Sequence, residues 1–216
     1  MEQNNPYAAP QVVLVDAQAP RALQGWSPQQ LVLLGWLNLA YLLGTLVVLG
    51  LAMVQQKSAL GDWLSLAVTL LGSYLLLRLK AFLELRFAAR GLRWPVWLSV
   101  VLSVLLECMQ LYWGEDRLVG LNPLALSYFG LLALLGLLIL WLGIVLLKVE
   151  HGYPSLRILG WLNIATGAMV ASIILLVIGI LPMLAAMVAS ALVFFHAARE
   201  LRGDAVLPAG EVDERP

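Results

Sequence analysis

The sequence predicts an all-α polytopic membrane protein, a bundle of six transmembrane helices. Of its 216 residues, 62% are hydrophobic and only 12% are charged, and the mean hydropathy is +0.89. A soluble domain carries about 25% charged residues, so a soluble fold of this length could not bury so much apolar surface. The chain also divides into six apolar stretches, each near the length of about 20 residues that crosses a bilayer as a helix.

Charges, prolines and aromatic residues mark the limits of these spans. Ser27, Pro28 and Gln30 predict the first helix start as an N-cap, a proline at the first helical position and a capping-box glutamine. The uncharged stretch 158–195 is about two membrane thicknesses long. We therefore expect a turn from Ile178 to Pro182 to divide it. The predicted spans are 31–54, 63–79, 95–113, 124–147, 158–178 and 182–199.

The distribution of basic residues predicts the orientation. With the N-terminus inside, all Lys and Arg except Lys57 and Arg117 fall on cytoplasmic segments, in agreement with the positive-inside rule. Both tails, 1–26 and the acidic 204–216, are therefore expected to be cytoplasmic and disordered. We call the basic residues near the second and sixth spans the basic collar: Arg78, Lys80, Arg86, Arg90, Arg93, Arg199 and Arg202.

The basic collar is expected to attract anionic lipid headgroups. It could also dock a cytoplasmic partner. Lys80 and Glu84 are spaced to pair on a helix that continues past the second span. The apolar side of that extension, from Leu79 to Phe87, predicts that it lies at the headgroup surface.

A short phrase occurs twice, LGWLNLA from Leu34 and LGWLNIA from Leu159. A second echo, AARxLR, follows the second and the sixth spans, from Ala88 and from Ala197. Recurrence of Gly, Trp and Asn in register is improbable from composition alone. Because four crossings separate the copies, the sequence predicts a duplicated helical hairpin that forms a parallel repeat.

Within the repeated phrase, a Gly and an Asn share one helical face, as Gly35 with Asn38 and Gly160 with Asn163. Glycine permits close approach of a second helix, and an amide inside lipid needs a partner. We therefore interpret the four residues as the packing contact between the two hairpins, with an interhelical hydrogen bond from the Asn amide. The alternative is that both Asn side chains face a cavity and bind something polar.

A polar stripe runs along the third span. Ser99, Ser103, Glu107 and Gln110 are spaced by four, four and three residues, so they lie on one helical face. A charged carboxylate inside a bilayer costs several kcal/mol unless it is paired, protonated or hydrated. The stripe is therefore expected to face the bundle interior or a cavity, and Glu107 is either a hydrogen-bonded structural residue or part of an ion or proton path.

Several function classes are disfavoured. A net charge of zero argues against a nucleic-acid partner, which requires excess basic charge. No HExxH, GxSxG or Gly-rich phosphate loop is present, so we predict a non-enzymatic protein without metal or cofactor. His151 and His196 are poorly placed to ligate a haem between them. Cys108 has no histidine nearby to act as its general base.

The opening NNPYAAPQ and the stretch YLLLRLKAFLELRF from Tyr74 to Phe87 resemble segments of bacterial multi-pass inner-membrane proteins that have no assigned function. The resemblance implies a bacterial inner-membrane location and carries no activity. Our leading hypothesis is a structural or regulatory membrane protein that acts through helix packing and the basic collar, with a membrane-protein partner or as a homo-oligomer. The alternative is a small transporter or channel that uses the polar stripe around Glu107.

Overall fold

The structure is a computed structural model that describes residues 25–54, 59–114, 122–149 and 152–203. Within these ranges the chain forms six helices and no strand. Residues 1–24 of the predicted N-terminal tail, the tail 204–216, and Lys57, Arg117 and His151 lie outside the described residues. The helices are α1 Pro28–Met53, α2 Ala59–Phe87, α3 Arg93–Trp113, α4 Pro123–Leu147, α5 Pro154–Ala171 and α6 Leu176–Arg202.

The all-helical, membrane-type fold is confirmed. All of these helices except α5 are long and apolar enough to cross a membrane. Helix α5 has 18 residues, a length of about 27 Å at 1.5 Å per residue. Its composition is less apolar because Arg157 and Asn163 fall within this short length.

Local sequence signals account for where the helices begin. Ser27 and Gln30 form the predicted capping box, in which each side chain accepts a hydrogen bond from the backbone N–H of the other. The Asn122 side chain caps α4 by accepting from the Ala125 N–H at 2.7 Å. Pro154 occupies the first turn of α5, where its missing N–H has no helical partner to lose.

The six helices close into a ring. Each helix contacts the next one along the chain, and α6 contacts α1. Neighbours run antiparallel: Gly35 near the start of α1 lies against Phe195 near the end of α6, and Tyr41 lies against Gly72 of α2. The starts of α1, α3 and α5 therefore meet the ends of α2, α4 and α6 at one end of the bundle, which we call the basic end.

An apolar plug fills the basic end. Each helix contributes at least one side chain that is at most 1% exposed, and together these side chains belong to one continuous hydrophobic core. This burial excludes water from the axis of the ring over roughly its first two helical turns. The plug residues are Leu31, Phe82, Val96, Leu146, Leu156 and Phe194.

Helix α2 is longer than predicted, and its last part lies in a different place. The helix continues to Phe87 as one element, and the predicted pair of Lys80 and Glu84 is present at 2.8 Å. However, Phe82 and Leu83 are completely buried in the core. The prediction of a surface-lying extension was therefore wrong, because α3 and α6 cover its apolar side.

The break between the last two helices also lies elsewhere than predicted. It falls at residues 172–175, before the expected turn from Ile178 to Pro182. Ser172 stabilises the turn because its hydroxyl accepts from the Leu175 N–H at 3.2 Å and donates to the Met169 carbonyl at 2.7 Å. Pro182 lies inside α6, where bilayer helices tolerate proline when neighbouring groups compensate for the lost bond.

The hairpin duplication is not apparent in the helix contacts. Every helix contacts its two neighbours around the ring, so these contacts do not single out a repeated hairpin, and α1 and α5, which carry the repeated phrase, are not neighbours among the described helices. The AARxLR copies also differ in structure. The first follows the end of α2, with Ala88 at a φ of 49°, and the second is part of α6.

Close glycine contacts join α4 to α5. A Cβ added to Gly136 would lie 2.4 Å from the Ala171 backbone nitrogen, and one at Gly167 would lie 2.4 Å from the Leu140 backbone nitrogen. One heptad away, a Cβ at Gly143 would lie 2.7 Å from the Gly160 carbonyl oxygen. Gly160 is thus a packing residue, as predicted, but its partner is α4 and not the other copy of the repeated phrase.

Candidate functional site

A cavity of about 300 Å³ lies inside the ring. All six helices line it, and its polar side chains are uncharged: amides, hydroxyls and one phenol. Apolar side chains such as Leu142 and Met187 complete the wall. This mixture of apolar surface and a few converging polar groups is typical of a small-molecule site. The polar lining residues are Asn38, Tyr41, Thr69, Ser73, Ser99, Ser103, Asn163, Thr166 and Ser190.

The cavity lies near the middle of the bundle. Asn38, Ser103 and Asn163 are each about ten residues from the start of their helices, a depth of about 15 Å from the basic end. Helix α1 is 26 residues long, about 39 Å at the same rise per residue. The plug therefore separates the cavity from the basic end, and the polar groups lie near the middle of the length of α1.

Two cavity residues carry hydroxyls without a protein partner. Ser99 and Thr166 are each 3% exposed, and neither hydroxyl has a hydrogen bond to any group in the described part of the chain. A buried hydroxyl without a partner costs about 1–3 kcal/mol. Unpartnered buried hydroxyls are rare in folded proteins, and both of these residues belong to the cavity wall.

Both repeat asparagines line the cavity, but they do not bond to each other's helices. The Asn38 amide donates to the Leu34 carbonyl at 2.8 Å, and the Asn163 amide donates to the Leu159 carbonyl at 2.9 Å. The predicted interhelical hydrogen bond between hairpins was therefore wrong, since each amide satisfies a donor within its own helix. The alternative interpretation, in which both asparagines face one cavity, agrees with their positions.

The polar stripe of α3 is divided between the cavity and its wall. Ser99 and Ser103 line the cavity, as the stripe predicted. Glu107 is 9% exposed and stands behind the wall, where its carboxylate accepts from the Thr69 hydroxyl at 3.0 Å. Thr69 itself lines the cavity, so Glu107 is one hydrogen bond away from it. Gln110 lies beyond Glu107 on α3 and is not one of the lining residues.

A hydrogen-bonded cluster ties three parts of the chain together at the basic end. The Glu200 carboxylate of α6 forms an ion pair with Arg86 of α2 and accepts from the hydroxyl of Tyr153, which precedes α5. His196 stacks against the Tyr153 ring and contacts the Ser155 hydroxyl at 3.3 Å. Burial, and then the hydrogen bond to Glu200, raise the pKa of Tyr153 above its ordinary value of 10.0.

The rest of the basic collar is less tightly held. The Arg78 guanidinium lies over the Trp26 ring at 4.4 Å, where a cation is attracted by the aromatic face. Lys80 pairs with Glu84. The remaining collar residues, Arg90, Arg93, Arg199 and Arg202, are exposed.

Sequence reasoning missed several cavity residues. Thr69, Thr166 and Ser190 stand singly in apolar helices, so no stripe distinguishes them from residues that bond to their own backbone. Thr45 shows the difficulty, because its hydroxyl donates to the Tyr41 carbonyl at 2.9 Å and it does not line the cavity. Only the ring of neighbouring helices determines which hydroxyls meet.

No protein family, curated protein or solved structure matches this chain.

Proposed function

We propose that this chain is a bacterial inner-membrane protein that carries a small, uncharged polar solute across the bilayer through the ring of helices. The observation that supports this most is the pair of unpartnered hydroxyls, Ser99 and Thr166, in the wall of a mid-bilayer cavity. A protein that served only as packed scaffold would gain by burying apolar groups there. Neither oxygen has accessible surface in this conformation, so we propose that solute or water reaches these hydroxyls when the cavity wall rearranges.

The chemistry of the wall favours a neutral solute. Among the described residues, no Lys, Arg, Asp or Glu lines the cavity, so an ion that entered would lose its hydration without gaining an opposite charge. Ser, Thr, Asn and Tyr side chains both donate and accept hydrogen bonds, which suits hydroxyl and amide groups of a solute. The Met and Leu side chains of the wall suit its carbon skeleton.

The apolar plug closes the cavity on one side in this conformation. Phe82 and Phe194 are completely buried between the cavity and the basic end, so a solute in the cavity cannot leave on that side. We propose that this arrangement is the state closed at the cytoplasmic face. Release on that side requires the plug to separate, together with the Arg86 and Glu200 pair that ties α2 to α6.

Glu107 is assigned a positioning role in this proposal. Its carboxylate accepts a hydrogen bond from the Thr69 hydroxyl and so fixes the orientation of that hydroxyl. Because the Thr69 proton is used in this bond, the Thr69 oxygen can only accept hydrogen bonds from a group in the cavity. Because Glu107 is separated from the cavity by Thr69, it does not contact the solute directly.

The test removes the unpartnered hydroxyls and nothing else. Ser99→Ala and Thr166→Val, combined in one variant, keep the shape of the wall. Purified protein in liposomes would be challenged with small neutral solutes such as glycerol and urea, and solute entry followed by light scattering as the vesicles swell. We expect wild-type vesicles to swell faster than empty ones with at least one solute. The rate with the variant should be roughly thirtyfold lower, from about 1 kcal/mol for each of the two lost bonds.

The same variant separates function from stability. Because neither hydroxyl has a protein partner, their removal should leave the melting temperature unchanged or raise it. Thr45→Val is the matched control, since it removes a threonine hydroxyl of α1 that does not line the cavity, and it should transport as wild type does. Transport is excluded if no solute enters faster than into empty vesicles. Equal swelling rates of variant and wild type would show that the cavity is not the path.

A structural or regulatory role is the second candidate. It is favoured by Arg90 and Arg93, which are exposed and lie beside the bend that follows α2. Such a pair could hold an acidic segment of a membrane-protein partner, or a second copy of this chain. Cross-linking in native membranes followed by purification would test it. A partner that is recovered with wild type and lost with the double variant Arg90→Gln and Arg93→Gln supports this role. A partner that is recovered equally with wild type and with the double variant rules out this surface.

A further inference from the structure

A second cleft lies on the outer surface of the ring at the basic end. It has a volume of about 210 Å³ and is formed where α1 packs against the last part of α6. It is separate from the central cavity, with which it shares no residue. Its lining residues are Val32, Leu192, Phe195, His196, Ala198, Arg199 and Arg202.

The charge of this cleft is positive in the part of the chain that the structure describes. Arg199 and Arg202 lie one turn apart on α6, and the described lining includes no carboxylate. The one acid between them, Glu200, is directed to the other side of the helix, where it holds Arg86 and Tyr153. Two guanidinium groups on one wall, with no acid facing them among the described residues, form a site for an anion such as a phosphate.

The cleft continues into an apolar strip along the outside of α6. Val188 and Leu192 are 39% and 44% exposed and, with Phe195, follow Arg199 at helical spacing toward the middle of the bundle. On α1, Trp36 packs edge-to-face against Phe195 at 6.0 Å and is itself exposed to the surrounding medium. The basic groups lie within the last turn of α6, the level at which we expect headgroups to meet the hydrocarbon.

We infer that this cleft binds one anionic phospholipid, its phosphate held by Arg199 and Arg202 and one acyl chain lying along Leu192 and Phe195. A soluble phosphate compound would use only the charged part of the cleft. A lipid uses both parts, because the charge and the apolar strip are continuous and run in the direction of the bilayer normal. The inference is independent of the transport proposal.

The experiment counts lipid bound to the purified, full-length protein in detergent by native mass spectrometry, with phosphatidylglycerol or phosphatidylcholine added. We expect one phosphatidylglycerol to bind tightly and phosphatidylcholine to bind at least about tenfold more weakly, since it carries no net charge. The double variant Arg199→Gln and Arg202→Gln should lose about tenfold in affinity for phosphatidylglycerol.

The sequence itself supplies a matched control. Arg90→Gln and Arg93→Gln remove the same two positive charges from the other AARxLR copy, which lies outside the cleft, and should leave the affinity within about twofold of wild type. Equal losses in the two double variants would overturn the site and indicate attraction by net charge alone. Equal binding of the two lipids by wild type would also overturn it, even if a variant failed to fold.

A last arm distinguishes lipid from free phosphate. An excess of inorganic phosphate should not displace bound phosphatidylglycerol, because it makes no contact with Leu192 or Phe195. Displacement by inorganic phosphate would overturn the lipid assignment. Leu192→Ser, at an exposed position, should weaken phosphatidylglycerol binding while leaving the charges in place, and unaltered binding would contradict the acyl-chain path.

Discussion

A single carboxylate, Glu200, organises the basic end of the bundle. It accepts from Arg86 and from Tyr153 at once, and so connects α2, α6 and the residue that precedes α5. Arg86 is only 11% exposed, so its charge would be costly without this partner. The Tyr153 ring adds edge-to-face contact with Phe87 at 5.5 Å. The cluster therefore holds these parts of the chain together by both charged and aromatic contacts.

Replacing Tyr153 with Phe tests the hydroxyl alone, since the ring contacts remain. We expect the free energy of unfolding to fall by about 1 kcal/mol at neutral pH. The pKa of Tyr153 is raised on folding from 10.0, so the contribution is fully present below pH 10.0 and is lost as the pH rises through the folded pKa. The melting curves of wild type and Tyr153→Phe in detergent should therefore differ at neutral pH and converge in alkali. A difference in melting temperature that stays constant with pH would contradict the role assigned to the Tyr153 hydroxyl.

The side-chain pattern of the candidate site could be predicted only in part. Spacing on α3 placed Ser99, Ser103 and Glu107 on one interior face, and the structure agrees. Spacing does not say which helix lies opposite, so the bond from Thr69 to Glu107, which joins residues 38 positions apart, could not be foreseen. For Asn38 and Asn163, the amide can bond within its own helix or across helices, and the sequence does not decide between them.

At the scale of whole elements, glycine determines how closely α4 and α5 approach. Gly136 meets Gly167, and Gly143 meets Gly160, so the contacts recur one heptad apart on both helices. Inside lipid there is little hydrophobic drive for helices to associate, and close packing of small residues takes its place. This contact fixes α5 against α4 and thereby the position of Asn163 and Thr166 on the cavity wall.

Gly167→Ala should therefore destabilise the protein by about 2 kcal/mol, because its Cβ would lie 2.4 Å from the Leu140 backbone nitrogen and the helices must separate. Gly130→Ala in α4 is the control: nothing lies within 4 Å of its added Cβ, so it should stabilise the helix by about 0.5–1 kcal/mol. Unfolding in increasing SDS measures both. Changes of the same sign in the two variants would show that helix propensity, rather than close approach, dominates.

Helix existence was predictable from the sequence, and helix limits were less so. The capping box at Ser27 is a local signal, and the structure reproduces it. Pro182 was interpreted as the start of a helix, where its missing N–H costs nothing. The break instead occurs at Ser172, whose side chain bonds locally, and α6 continues through the proline. Apolar composition does not distinguish a break at Ser172 from one at Pro182, because residues 172–182 include no charged side chain.

At the scale of the whole molecule, the ring is the feature that sequence reasoning did not reach. The leading interpretation of the repeated LGWLN phrase is a packing contact between two hairpins, and its alternative is a cavity that both Asn side chains face. In the structure, α6 closes the ring on α1, and the two Asn residues line the same cavity from helices that do not touch. Which helices become neighbours depends on packing between distant segments, such as the contact of Phe195 with Gly35.

The last prediction concerns how many times the chain crosses the bilayer. In the ring, the ends of α2 and α6 lie at the same end of the bundle, so Arg90 and Arg202 should be on the same side of the membrane if α5 crosses. If the short α5 did not cross, these two residues would be on opposite sides. The positive-inside rule places both in the cytoplasm, and Lys57 and Arg117 outside.

Single cysteines at these four positions, in a Cys108→Ser background, would be labelled with a membrane-impermeant maleimide. We expect Lys57→Cys and Arg117→Cys to react in cells whose outer membrane has been permeabilised, and Arg90→Cys and Arg202→Cys to react only after the inner membrane is opened. Reaction of Arg202→Cys, but not of Arg90→Cys, before opening would mean five crossings. Such a result would remove α5 from the ring and with it the cavity wall formed by Asn163 and Thr166, so this measurement tests the architecture on which the transport proposal depends.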